Sequence, residues 1–414
     1  MGLKTTFTAT FSFLLFTFPF SLFTQMNIAL LELAPHGHYV YVESIARIFA
    51  ADPTNNITIY TNERGGKLLQ YLENQQIRLV IKPDTEGSVS FLQKIKNVDK
   101  LVVVTLEPYA RELYEIAQAF VQTDFNCPIY YVLHNIDFWF QQSFWDKIRN
   151  IFYNFSGFKL FAYHLKVYFK YSYINPQLMG KVKRSNGRFV TMSSVLGQEL
   201  AQYVGEENVV ILPFSVYDEK LFDRSGFNRR LRVCVAGQVS AVRRDYDAIL
   251  KKLEEDERGF LRNCFDWDFL GKVALHEGGQ KIVDRVEQLI KKGYSIRIYK
   301  EFLSMEDYDD QLSRADVVFG NLILQQGATA RYGKSKETGV VFTMIKAAKV
   351  GLLPEGYPIE PALKTSVITF HDYIMAFIIL LKLHQHRDAL EEWKEMALEN
   401  SKKFTPLSIY EQLK

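Results

Sequence analysis

Residues 26–51 read MNIALLELAPHGHYVYVESIARIFAA, and this stretch decides the fold. Ile28-Ala29-Leu30-Leu31 is a continuous apolar run, the mark of a strand buried on both faces. Val40 to Ala51 has helical spacing, with Val42, Ile45, Ala46 and Phe49 on one face. Between them lies the loop Ala34-Pro35-His36-Gly37-His38-Tyr39. A glycine there permits a tight turn and lets a ligand approach backbone N–H groups. The loop is not GxGxxG, so no dinucleotide fingerprint is present. Strand, glycine turn and helix in that order open a doubly wound parallel sheet.

The alternation continues outward. Ile57–Tyr60, Ile77–Ile81, Leu101–Leu106 and Ile129–Leu133 read as strands, with a helix over Tyr109–Val121. Phe189–Met192 is a strand, Val195–Tyr203 a helix, and Val209–Leu212 a strand that stops at Pro213. A second series begins near Arg229. Its strands are Leu231–Ala236, Phe265–Leu270, Ile296–Tyr299, Asp316–Gly320 and Val367–Phe370. Its helices are Tyr246–Glu254, Ile282–Lys292, Met305–Arg314 and Thr338–Ala348, and His371–His384 and Asp388–Lys402 close the chain. The expected fold class is α/β: two Rossmann-like parallel-sheet domains, 26–228 and 229–385, facing a central cleft. The C-terminal helix over 386–414 is expected to pack back on the first domain.

Composition bounds the function. The chain has 414 residues and a net charge of +3, too little to argue for nucleic acid. Cys127, Cys234 and Cys264 are odd in number and lack metal-ligand spacing, which fits a reducing compartment. Aromatics are 14% and unevenly placed: seven Phe lie in the first 25 residues, and fifteen aromatics between Phe138 and Tyr173. Residues 1–25 read as a translated leader before a true start at Met26, with a membrane anchor as the alternative. The stretch 138–188 is an aromatic and basic insertion, carrying Lys147, Arg149, Lys159, Lys166 and Lys170 near its one acid, Asp146. It suits either docking on anionic lipid or an aromatic layer buried against the sheet.

Candidate site residues sit in loops after strands. Gly237 precedes Gln238-Val239-Ser240-Ala241-Val242-Arg243-Arg244-Asp245. Two arginines before a helix N-terminus oppose the macrodipole, and a bound diphosphate would justify them. The alternative is a solvated basic turn paired with Asp245 or Asp247. Lys336-Glu337-Thr338-Gly339-Val340 either offers a carboxylate to sugar hydroxyls or is a plain helix cap. His134 ends a buried strand facing the cleft, where a satisfied structural histidine is the commoner occurrence. No nucleophile elbow, HExxH or Walker sequence is present.

In order and spacing these pieces resemble the retaining glycosyltransferases of the two-Rossmann (GT-B) fold, the group 1 or family 4 type. The likeness runs from Met26 to the C-terminus and includes Val210-Ile211-Leu212-Pro213 with Asp218 and Phe222 at the crossover, and Tyr308 to Val318. The resemblance implies hexose transfer from a nucleotide diphosphate sugar to a hydroxyl of a glycan or lipid-linked acceptor, without a metal or other cofactor. It places Gly37 near donor phosphates and acceptor, and His134 on the transferred sugar. It places Arg243 and Arg244, beside Gly237, on the diphosphate, and Glu337, Gly339 and Val340 on donor sugar and ribose. It implies a cytoplasmic enzyme, peripheral at the inner face of a membrane if the insertion docks there. The sequence departs from the family at two points. Of the usual two glutamates seven residues apart, Lys336 and Met344 hold the closest positions, with Glu337 displaced by one. Gln238 stands where many members have Arg. Two other readings are a catalytically inactive sugar-binding or scaffold subunit and a sugar-nucleotide epimerase of the same architecture.

Overall fold

A computed structural model describes residues 25–35, 38–107, 111–141, 173–222, 230–326 and 330–414. The leader 1–24, Gly37 and most of the insertion (142–172) lie outside the described residues. The first sheet contains β1 (Asn27–Glu32), β2 (Asn56–Asn62), β3 (Ile77–Lys82), β4 (Lys100–Val103), β5 (Ile129–Val132), β6 (Arg188–Thr191) and β7 (Val209–Ile211). Their order is β3-β2-β1-β4-β5-β6-β7, every pair parallel.

The second sheet contains β8 (Leu231–Cys234), β9 (Phe265–Lys272), β10 (Ser295–Tyr299) and β11 (Val317–Phe319). A two-residue ribbon follows, β12 (Gln325–Gln326) and β13 (Ala330–Arg331), and then β14 (Val350–Pro354) and β15 (Val367–Phe370) complete the sheet. Its order is β10-β9-β8-β11-β14-β15, again all parallel. In each sheet the strand order reverses beside the first strand, which opens a crevice at the carboxyl ends.

The apolar runs behave as their composition requires. Leu30, Ile59, Val102 and Val190 are fully buried on one face of the first sheet, and Ala29, Leu101 and Leu133 on the other. In the second, Trp267, Phe269 and Phe319 fill the interior. β14 is an additional strand, absent from the strands expected from the sequence. Gly351 is required there: a Cβ would lie 2.4 Å from the Met344 side chain. β4 is shorter than its apolar run. Beyond Val103 the carbonyls of Val104 and Leu106 accept from the side chains of His134 and Tyr131 instead of from a strand.

The last helix, Pro406–Gln412, returns to the first domain. The Tyr410 hydroxyl donates to Asp52 at 3.1 Å, and Asn55 Nδ2 donates to that hydroxyl at 3.0 Å. At the described ends of the insertion the aromatic groups pack inward. Trp139 meets Tyr131 edge-on at 5.5 Å, Phe140 stacks on Tyr203 at 5.1 Å, and Ile174, Leu178 and Val182 are buried. Among the described residues no helix is long and apolar enough to cross a membrane.

Candidate functional site

A cavity of about 440 Å³ lies where the carboxyl ends of the two sheets face each other. That size falls in the range of small-molecule sites, roughly 300–1,000 Å³. His38, Glu107, His134 and Asn135 line it from the first domain, and Arg243, Lys336, Glu337 and Gly339 from the second. Its apolar part is a ring stack: Phe214 lies 5.2 Å from Tyr41 and 5.4 Å from Phe342.

Two buried carboxyls shape the first wall. Glu32, at the end of β1, accepts from the N–H groups of Ala34 (2.9 Å) and His38 (3.3 Å), and from the Thr105 hydroxyl. Glu107 accepts from the N–H groups of His134 (3.0 Å) and Asn135 (3.1 Å), and from Asn135 Nδ2 (2.9 Å). Each carboxyl thus replaces water for the loop that carries one histidine. Burial pushes both up to about 7, against those hydrogen bonds, which favour the charged form.

The two imidazoles stack with centroids 4.1 Å apart. His134 Nε2 sits 2.8 Å from the Val104 carbonyl, and His38 Nδ1 sits 3.0 Å from Thr105 Oγ1. Burial lowers His134 to about 4, partly offset by its bond to Val104. Burial, then the neighbouring His134 and Lys336, lower His38 well below its usual range. Both rings are therefore neutral at neutral pH.

The second wall is cationic. Arg243 is 45% exposed and lies 3.6 Å from Glu277. Lys336 is half-buried; burial and Arg243 lower its pKa, partly offset by Glu107. Arg244 does not line this cavity. It is buried beneath Gly237, whose φ is +104° and where a Cβ would meet Arg244 Nη2 at 2.5 Å. Arg244 Nη1 has no hydrogen-bond partner among the described residues.

Glu337 lines the cavity, but its oxygens are engaged. They accept from the Ser193 hydroxyl (2.7 Å), the Thr338 N–H (2.9 Å) and the Tyr357 hydroxyl. Beside it Glu360 accepts from the Ser194 N–H (2.8 Å) and hydroxyl (2.7 Å). Ser193 caps the helix Ser194–Val204 of the first domain. Two carboxyls of the second domain thus grip a helix N-terminus of the first, where negative charge is favoured. The backbones also join: Ile136 N–H donates to the Ser335 carbonyl at 2.8 Å. Gly339 starts the helix Gly339–Ala347 at the cavity edge, with Thr338 as its cap. Val340 is fully buried, so its side chain serves the core.

The structure therefore brings His134, Arg243, Glu337 and Gly339 together around one cavity. Sequence reasoning missed His38, Glu32, Thr105 and Glu107. A signal existed for the last three: a carboxylate or hydroxyl ending an apolar strand, as in Leu30-Leu31-Glu32 and Val104-Thr105-Leu106-Glu107.

No family model and no curated protein sequence matches the chain. Solved structures do. Anabaena HepE in complex with UDP and glucose is 14% identical with a TM-score of 0.58, covering 94% of this chain and 98% of its own. Sucrose-phosphate synthase from Thermosynechococcus elongatus is 10% identical with a TM-score of 0.56, covering 94% and 97%. The lipopolysaccharide outer core galactosyltransferase WaaB is 9% identical with a TM-score of 0.51, covering 94% and 98%. The chain is similar to each in architecture: it has the GT-B fold.

Proposed function

We propose that the protein is a glycosyltransferase that moves a hexose from a nucleotide diphosphate sugar to a hydroxyl of a glycan or lipid-linked acceptor. The observation that carries the reading is the cavity itself: cations on one wall, neutral imidazoles on the other, at the carboxyl ends of two parallel sheets. A departing diphosphate needs positive charge, which Arg243 and Lys336 supply without a metal, and Arg244 Nη1 is a buried donor close behind Gly237. HepE, of the same fold, was solved with UDP and glucose. A second cavity, about 700 Å³, adjoins the loop after β1 and is lined by Asn62, Arg64, Lys67, Lys82, Asp84 and Glu112. Its mixed polar wall suits a hydroxyl-rich acceptor. The basic aromatic stretch 138–173 supports an anionic membrane surface as a further partner, tested by vesicle flotation.

The test is a thermal-shift and turnover panel of nucleotide diphosphate sugars. A donor that binds the folded protein raises its melting temperature. Transfer to an added acceptor, or hydrolysis, is expected for one of them. Binding without turnover would favour a sugar-binding subunit, a reading supported by the full engagement of Glu337. Interconversion of free nucleotide sugars would favour an epimerase.

A further inference from the structure

Two cations lie side by side at the far end of the first sheet. Lys100 opens β4 and Arg188 opens β6, so both sit at the amino ends of strands, away from the cleft. Tyr130 of β5 is level with Arg188 on one side and with Val102, two residues after Lys100, on the other. The period of two therefore puts Lys100, Tyr130 and Arg188 on one face of the sheet. The Lys100 ammonium lies 4.5 Å from the centre of the Tyr130 ring and 5.3 Å from that of Phe49. Neither Lys100 nor Arg188 has an oxygen partner for its side chain among the described residues. Other lysines drawn out of water do have one. Lys346 meets Asp309 at 2.6 Å, Lys349 the Ser313 carbonyl at 2.6 Å and Lys394 Asp316 at 2.8 Å. Burial, then the neighbouring Arg188, lower the pKa of Lys100.

Both cations line a third cavity, of about 400 Å³. Val210 of β7 and Leu413, just past the last helix, belong to its apolar wall, and the exposed Gln198, Glu206 and Gln412 stand at its rim. Glu206 is the one carboxylate in this lining, and it pairs with neither cation. A structural lysine lays its stem on apolar surface and keeps its charged head in water. Here the ammonium itself lies on the two rings, inside the cavity. Like charges abreast on a sheet destabilise it, and a half-buried cation without an oxygen partner adds to that cost. The fold gains nothing from the pair that an apolar residue would not give, whereas a bound anion relieves both costs.

We propose that this cavity is a second binding site, separate from the cleft, for a small organic phosphomonoester, with Lys100 and Arg188 on the phosphate and Gln198, Glu206 and Gln412 on the hydroxyls of its body. Charge selects the class. A phosphomonoester carries about −1.5 to −2 at neutral pH, which matches two cations, whereas a carboxylate or a phosphodiester carries a single charge. The Arg188 fork takes two phosphate oxygens, and Lys100 acts on a third as a point charge. The two rim amides donate and accept, and the Glu206 carboxylate accepts, so together they satisfy sugar or polyol hydroxyls. The volume lies within the range of small-molecule sites, roughly 300–1,000 Å³. The site binds and does no chemistry, and it does not depend on the transferase reading above.

The test is calorimetry on the full chain with ribose 5-phosphate, inorganic phosphate and ribose. Ribose 5-phosphate is expected to bind saturably, inorganic phosphate more weakly, and ribose not at all. Lys100→Met and Arg188→Met should each weaken ribose 5-phosphate binding by about 10–10²-fold, the usual worth of a hydrogen bond to a charged group. Arg243→Ala, in the cleft, should leave that affinity within about twofold, since distant sites act independently. Removing either of two repelling cations should leave the melting temperature of the free protein at or above that of wild type, so lost binding is not lost folding. Arg188→Glu gives Lys100 an acidic partner, and is expected to raise the melting temperature while abolishing binding. Absence of saturable binding at millimolar ribose 5-phosphate overturns the proposal, as does wild-type affinity in the folded Lys100 and Arg188 variants. A matching loss in Arg243→Ala would put the phosphate in the cleft and overturn it too. Equal affinity for inorganic phosphate would overturn the ester as the ligand.

Discussion

The two walls of the cleft handle charge in opposite ways. In the first domain, Glu32 and Glu107 are buried, each meets three hydrogen-bond donors, and the histidines beside them are neutral. In the second, Arg243 and Lys336 line the cavity while Glu337 and Glu360 hold the domains together. The first wall presents neutral rings to the cavity, and the second the side chains that, under the proposed function, hold the anion. The lesson is that residue type alone does not assign a role. Glu337 and Glu107 are both cavity glutamates, yet one joins domains and the other builds a loop.

The largest expected effect breaks the comparison if it fails. A neutral–neutral hydrogen bond is worth about 1 kcal/mol and one to a charged group about 1.5–3. Removing both Arg243 and Lys336 as alanines should weaken nucleoside diphosphate binding by about 10²–10⁴-fold in calorimetry. Glu32→Gln, on the other wall, should leave that affinity within about threefold. Comparable loss of affinity in Glu32→Gln would mean the walls do not divide the work.

The next effect separates the neighbouring arginines. Arg244 is 6% exposed with Nη1 unpartnered among the described residues, whereas Arg243 reaches the cavity. A buried charge lacking a full set of partners is costly. Arg244→Met is expected to keep or raise the melting temperature of the unliganded protein, and to shrink the rise given by added nucleoside diphosphate. A fall of several degrees without ligand would show that Arg244 is a structural cation.

The clamp gives a third effect. Glu360→Ala removes both bonds to Ser194 and leaves a helix N-terminus without its carboxylate. A loss of about 1–3 kcal/mol is expected, with a larger radius of gyration in small-angle scattering as the domains part. An unchanged radius would mean that the Ile136–Ser335 backbone bond and the Tyr41–Phe214–Phe342 ring stack suffice to hold the cleft closed.

What the sequence displayed follows from which signals are local. Continuous apolar runs such as Leu30-Leu31 and Val102-Val103 declared buried parallel strands, because a strand covered on both faces has no polar side. β14 was illegible because Gly351 answers to Met344, seven residues earlier in sequence but packed against it. Among site residues, Arg243 and His134 stood out as chemistry after a strand. Their difference from Arg244 and His38 did not, since it depends on distant partners. His38 is set by Thr105, 67 residues away, and Glu337 by Ser193, 144 residues away. Periodicity carries no information about such pairs.

The smallest effect is a pH slope, and its sign tests the two pairs on the first wall. His134 sits near 4 in the fold against an ordinary 6.5, so the unfolded chain takes a proton the fold refuses. That makes stability fall as pH drops from 6.5 towards 4. His38, also lowered, acts in the same sense. Glu32 and Glu107 sit near 7 against an ordinary 4.5, so the fold holds protons that the unfolded chain has lost. Their contribution falls as pH rises from 4.5 to 7. Between pH 4.5 and 6.5 the pairs oppose each other and nearly cancel. Glu32→Gln removes one carboxyl and leaves both histidines. Its stability, read by urea unfolding, should therefore rise with pH more steeply than that of wild type by up to about 1.4 kcal/mol per pH unit. An identical slope would mean that Glu32 is ionised in the fold throughout this range.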